Sequence, residues 1–392
     1  MDIKNKAGYD NLDAPFKIAN DILNKDRKKC LDNGSETDIP IGERIKFVFG
    51  EYIKELRNSN IDCSSKTEDE IRNNMELAVN ACKKYLSGDL YAAFENAEKI
   101  LDKLEERIVD LPSETYLFRA RSTSMYHTLA RHEMFHIPFN KRYLVGNQRY
   151  SISGIPCLYL GQSTYICWEE LGRPNPYTCN FIGVKTISEQ KVLDMTIPQA
   201  FEGVNISIIP TILSCILYSR KDRVFKQEYI LPQLIMQALL QKRKNIIGIK
   251  YHSTSLFYTD FPFVSDEKTL KSDIEKHNNY VFPALEEARG HKDRLSNHLV
   301  KIFHTTLAFS IWQQQLVTSK AYTPVSGVSN GLDNTINYID HSIFGQLESI
   351  FAKNNYTSVR QNINSIFDTK LSKFSIGVDD VGAVSGEVPG TE

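Results

Sequence analysis

The sequence predicts an α+β protein in which a β-rich centre, residues 111–285, lies between two helical regions. Three observations carry this. Before residue 110, apolar residues recur at spacings of three and four, as in Ile45, Phe49, Tyr52, Ile53 and Leu56. Short apolar or alternating runs then follow one another: 115–121, Ile155–Leu160, Phe181–Lys185, Lys191–Met195 and Ile246–Tyr251. Helical spacing returns after Leu285 in the stripe Leu295, Leu299, Ile302, Phe303, Leu307 and Ile311. The expected division is a helical accessory region at 1–110, the β-rich domain at 111–285, a helical region at 286–376, and a small, acidic, disordered tail at 377–392.

Composition narrows the class. Of 392 residues, 41% are hydrophobic and 24% charged, ordinary values for a soluble globular chain. Lys+Arg at 47 against Asp+Glu at 48 leaves a net charge of -1, which gives no footprint for nucleic acid or a membrane surface. No run approaches the roughly 18–20 apolar residues of a membrane span. The mixed-charge N-terminus lacks the apolar core of a secretory signal. Seven cysteines without paired short spacings read as reduced thiols, so a cytoplasmic protein is expected.

Within the first region the pattern predicts helices over Glu70–Leu86 and Leu90–Val109, with a polar connector from Asn58 to Asp69. No catalytic spacing occurs there. Residues 115–121 read as a strand that puts Arg119 and Arg121 on one face. The following HEMFH, His132 to His136, formally matches a zinc-protease helix. Pro138 cuts that helix short and no third ligand is evident, so no metal site is expected. Residues 205–219 are apolar enough for a helix or a buried strand, and Glu228 to Lys242 has helical spacing. A Ser/Gly/Asn-rich loop, Ser326 to Asn334, precedes more helical spacing to about Phe367.

The stretch 149–171 stands out because loop, strand and helix place Arg149, Tyr159 and the pair Glu169–Glu170 at the edges of regular elements. Adjacent helical residues point about 100° apart, so only one of the two glutamates faces any one site.

Residues 115–283 resemble the RES domain family, NAD-degrading enzymes often found as toxins beside a DNA-binding antitoxin. The resemblance rests on Arg119 in LFRAR, then Arg149-Tyr150, Gly154, Tyr159 and Glu170 eleven residues past it. VLDMT (192–196), YHST (251–254) and NYVFP (279–283) continue it. Gln148, Ser151 and Gly161 depart from the pattern, standing where the family has Gly, Asn and a small Ala or Ser. The resemblance implies an ADP-ribosyltransferase-like mixed β core that cleaves NAD+ as substrate and needs no cofactor. It implies catalytic roles for Glu170, Tyr159 and Arg149. NAD-binding roles fall to Ser253, to Tyr150, and to Arg119 or Arg121, with Arg119 preferred. Glu170 would face an oxocarbenium-like ribose, the arginines the pyrophosphate, and Tyr159 the nicotinamide end. Water, phosphate or a macromolecule remain open as acceptor. A non-catalytic NAD-binding module is the rival reading. An antitoxin or regulatory protein and a second copy of the chain are the partners left open.

Overall fold

The computed structural model describes residues 14–33, 38–59, 61, 64–123, 128–258, 272, 274–285, 295–311 and 343–360. The Ser/Gly/Asn-rich loop, residues 361–367 and the tail at 377–392 lie outside the described residues.

Four helices open the described chain: α1 (Ala14–Asp32), α2 (Ile41–Asn58), α3 (Ser65–Leu86) and α4 (Leu90–Lys103). Their ends follow from capping. Ser64 accepts the Thr67 amide at 3.2 Å, which starts α3 earlier than the connector Asn58–Asp69 implied. Asp89 does the same for α4 through the Ala92 amide at 3.3 Å. The helix expected to reach Val109 stops at Lys103, because Ile108–Leu111 is drawn into the sheet as β1.

The remaining strands are β2 (Tyr116–Ser122), β3 (Cys157–Gly161), β4 (Cys179–Thr186), β5 (Gln190–Met195), β6 (Ile246–His252) and β7 (Asn278–Pro283). Three short ones follow: β8 (Phe303–Thr305), β9 (Phe309–Ser310) and β10 (Thr357–Ser358). Their order is β1-β5-β6-β7-β3-β2-β4-β8-β10, with β9 also on β4; β5 and β6 run parallel, the other pairs antiparallel. A flat sheet would hold β4 and β5 five strand spacings apart, about 24 Å. The link from Thr186 to Gln190 reaches at most about 14 Å. The sheet therefore folds over on itself. The bend lies between β2 and β3, which share the single pair Phe118↔Gly161.

Alternation then sorts the side chains into layers. Leu117, Leu158, Leu160, Val184, Val192, Phe282 and Phe303 fill the space between the two halves. The outer face of the β1–β3 half, with Leu193, Ile249 and Val281, packs under α1–α4, α6 (Ile209–Ser214) and α7 (Ile230–Lys242) in one continuous core. The N-terminal helices thus share a core with the sheet. Buried Arg44 on α2 reinforces this by bonding Asp26 on α1 at 2.6 Å and the Tyr218 carbonyl at 2.8 Å. On the other half, α5 (Thr164–Glu170) and α10 (Ile343–Lys353) cover Phe118, Ala120 and Phe181. Two short helices complete the set, α8 (Ser255–Tyr258) and α9 (Asn297–Ile302).

The stripe from Leu295 to Ile311 is helical only over α9. From Phe303 onward the backbone pairs with β4, and burial alternates as in a strand. No helix among the described residues is long and apolar enough to cross a membrane.

Candidate functional site

A pocket of about 250 Å³ opens where β2 and β3 part beside the bend. Arg119 and Ala120 come from β2, and Tyr159, Leu160 and Gly161 from β3. Cys167, Glu170 and Leu171 line it from α5 and its end, with Gln148, Arg149, Tyr229, Tyr251, Thr254 and Asn279 around the rest. No lining residue comes from α1–α4 or α10.

Arg119 is the site's principal cation. Its Nε and Nη1 are buried and have no hydrogen-bond partner. Burial, followed by the neighbouring Arg121 charge, lowers its pKa to about 10. Arg121 is spent elsewhere, donating to the Glu133 carbonyl at 2.5 Å, and it does not line the pocket. Arg149 is buried and anchored. It donates to the carbonyls of Cys215 at 3.0 Å and Leu217 at 3.1 Å, just past α6, and lies 4.8 Å from the Tyr229 ring centroid. Ser151 closes the loop that carries Arg149, its hydroxyl accepting the Gln148 amide at 2.9 Å. Ser151 thereby helps to shape that loop.

Across the pocket stands Glu170, the last residue of α5. Oε1 accepts from the Ser253 hydroxyl at 2.5 Å and from Asn279 Nδ2 at 2.7 Å. The Ser253 hydroxyl is itself oriented, because it accepts the Ser255 amide at 3.1 Å. Glu169 points away, buried under Tyr165 Oη at 2.6 Å and Arg173 at 2.7 Å. The two glutamates thus point apart, as adjacent helical positions must, and Glu170 is the one that lines the pocket. Helix α5 lies so close to β3 that a Cβ on Gly161 would meet Ile166 Cγ2 at 2.5 Å and Cys167 Sγ at 2.8 Å. The glycine at that position is a packing requirement here.

Tyr159, Tyr229 and Tyr251 give the pocket aromatic walls. Tyr159 is buried at its hydroxyl, and burial raises its pKa well above the ordinary value. Tyr150 is fully buried and does not line the pocket; its ring packs 4.8 Å from Tyr251 and so backs the pocket wall. Ser253 acts on the site through Glu170. The lining residues to which the sequence reading assigned no role include Tyr229, Tyr251 and Asn279. Tyr251 and Asn279 sit within the quoted YHST and NYVFP segments, whereas Tyr229 precedes α7 in an apolar context that carries no local signal.

Other motif residues serve the scaffold. Asp194 of VLDMT accepts the Thr196 amide at 2.8 Å and pairs with Arg107 at 3.5 Å. Residues 131–136 form turns where HEMFH would need a helix. His136 lies close to the Ile137 carbonyl through Nδ1, at 2.8 Å, and accepts the Ser296 amide at Nε2, also at 2.8 Å. Among the described residues no group of three or more His, Cys, Asp or Glu could hold a metal ion. Burial raises the thiols of Cys157 and Cys167 to about 12 and that of Cys179 to about 11, far from a reactive thiolate.

One residue behind the site gives a pH signature. His252 is buried between Phe16 and Phe257, with Asn278 opposite it in the β6–β7 pair. Burial lowers its pKa from 6.5 to about 4. The fold therefore favours the neutral ring. Its contribution is fully present above pH 6.5 and is lost as pH falls from 6.5 through 4, by about 3 kcal/mol in total. Urea unfolding between pH 4 and 7 should show this slope in the wild type and a shallower one in His252→Phe.

Comparison with known proteins adds one relative. The chain is 28% identical over 274 residues to "Putative toxin YopC" of Bacillus subtilis (strain 168), an alignment covering 60% of this chain and 59% of YopC. No family model matches the sequence, and no solved structure matches it.

Proposed function

We propose that the pocket binds NAD+ and breaks its nicotinamide–ribose bond, and that the resulting loss of NAD+ is the basis of a toxin or defence role. One observation carries the reading. A half-buried guanidinium whose buried Nε and Nη1 have no partner among the described residues faces the same pocket as a carboxylate fixed by two side chains. Buried N–H donors of a cation left unpaired are costly unless a ligand takes them, and Arg119 has the charge and fork geometry for a pyrophosphate. The tyrosines offer flat surfaces for a planar ring. The polarity of the site thus suits a ligand with phosphates at one end and a cationic aromatic ring at the other.

In that pose Glu170 faces the ribose C1′. The C–N bond breaks with its electron pair moving to nicotinamide, which leaves neutral and needs no proton. Positive charge develops on the ribose ring, and a carboxylate already aligned by Ser253 and Asn279 stabilises it without reorganisation. Arg119 and Arg149 hold the phosphate end, Arg149 from a position set by the carbonyls beyond α6. Water then adds to C1′ through its oxygen and gives up one proton to solvent, or phosphate adds through an anionic oxygen. The toxin role draws its support from the resemblance to RES enzymes and from the name of the relative YopC, which the chain matches over part of its length.

A second reading, transfer of ADP-ribose to a macromolecule, is favoured by the exposure of Glu170 at the pocket rim. Purified protein given NAD+ labelled in the adenosine half separates the cases. Free ADP-ribose marks hydrolysis, its 1″-phosphate marks phosphorolysis, and label on protein or nucleic acid in added extract marks transfer.

A further inference from the structure

The short helix that ends in Glu170 is held at its other end by a residue distant in sequence. Helix α5 has 7 residues, too few to hold a fixed axis by its own hydrogen bonds. Its N-terminus is clamped by a residue 184 positions later. Glu348 on α10 accepts the Thr164 amide at 2.6 Å and the Thr164 hydroxyl at 2.9 Å, through the same Oε1. The Thr164 hydroxyl also lies 3.1 Å from the Phe344 carbonyl, and the Phe344 ring packs 5.3 Å from Trp168 and 5.5 Å from Tyr165. Local capping is separate: Ser163 accepts the Ile166 amide at 3.1 Å and donates to the Lys276 carbonyl at 2.8 Å. Glu348 therefore takes an amide that Ser163 does not, and it adds a negative charge at the positive end of α5.

We propose that Glu348 is a positioning residue for Glu170, and that α10 sets the catalytic geometry by clamping α5. The inference rests on the NAD-cleavage reading for its kinetic consequence. Glu170 stands at the opposite end of a helix about 10 Å long. A tilt of about 11° about the helix midpoint moves the Glu170 end, about 5 Å away, by about 1 Å, a displacement on the scale that costs about 100-fold in rate. Ser253 and Asn279 lie on the β6–β7 side and do not follow such a tilt, so their bonds to Glu170 lengthen together.

The test compares Glu348→Ala with Glu348→Gln, which keeps an Oε1 acceptor at the same reach. Glu348→Ala should lower kcat for nicotinamide release by about 10- to 100-fold with KM for NAD+ within about threefold. Glu348→Gln should recover to within about threefold of wild type. Hydrogen exchange should quicken at the amides of Thr164–Cys167 in Glu348→Ala, with α2 and α7 unchanged. Three results overturn the proposal: wild-type kcat in Glu348→Ala, equal damage in both variants, or a loss that tracks the unfolded fraction in thermal melts. If the wild type leaves NAD+ intact, the cleavage reading fails by itself. The exchange data then decide the clamp alone, and unchanged α5 amides in Glu348→Ala refute it.

Discussion

Glu170→Gln should lower the rate of nicotinamide release by about 10²–10⁴-fold while leaving NAD+ affinity within about threefold. The substitution keeps size and an acceptor oxygen, so Ser253 and Asn279 can still hold the side chain, and only the negative charge that the proposed reaction needs is lost. The partners supply a graded control. Ser253→Ala and Asn279→Ala each remove one hydrogen bond to a charged carboxylate, about 1.5–3 kcal/mol of positioning, or roughly 10- to 100-fold in kcat. Glu169→Gln should stay close to wild type in kcat, because that side chain is turned to Tyr165 and Arg173. Initial rates at saturating NAD+ across these four variants check the order. Full activity in Glu170→Gln would contradict the assignment.

Arg119→Met should do two opposite things. The half-buried guanidinium has unpartnered nitrogens, so an apolar side chain of similar length should raise the unfolding free energy by about 1–2 kcal/mol. The same change should weaken NAD+ binding by about 100-fold, because the pyrophosphate loses its forked cation. Arg119→Lys should restore charge without the fork and recover binding only in part. Titration calorimetry and urea unfolding on one preparation read both effects. Arg121→Met should leave NAD+ binding close to wild type, since Arg121 is committed to the Glu133 carbonyl. A destabilised Arg119→Met that binds NAD+ normally would make Arg119 part of the scaffold and remove it from the site.

How much of this was legible in the sequence depends on how local the cause is. Helices α2, α3 and α7 follow from apolar periodicity, and α3 begins where Ser64 can cap it. Residues 116–122, 157–161 and 246–252 are strands because their runs are short, apolar and bounded by polar residues. Helical geometry said only that one of Glu169 and Glu170 faces the site, and the eleven-residue spacing from Tyr159 in the family pattern pointed to Glu170. What was not legible is non-local. The three-residue link between β4 and β5 reads as an ordinary turn, but the two strands sit far apart in the sheet order, and only the fold-over reconciles them. Phe303–Thr305 continues an apolar stripe of helical period and becomes a strand because β4 offers an edge. Tyr229 and Asn279 reach the pocket from elements that a local window does not connect to Arg119. The clamp from Glu348 is still further from view, since the acceptor and the amide it takes lie 184 residues apart.

The two flanks also differ in a way their composition did not indicate. Helices α1–α4 are part of the main core, so deleting them would expose Leu193, Ile249 and Val281 on the sheet. Helix α10 instead covers the small cluster around Phe118, Phe181 and Phe344 on the side of α5. Of the two, the C-terminal flank touches the helix that carries Glu170.

The claim that this pocket cleaves NAD+ is tested most directly by following NAD+ with the purified wild-type protein by proton NMR. The account predicts free nicotinamide accumulating over many turnovers, with the ribose C1′ signal of NAD+ lost in step. Intact NAD+ in the presence of folded protein that binds it would contradict the account and leave a binding module in its place.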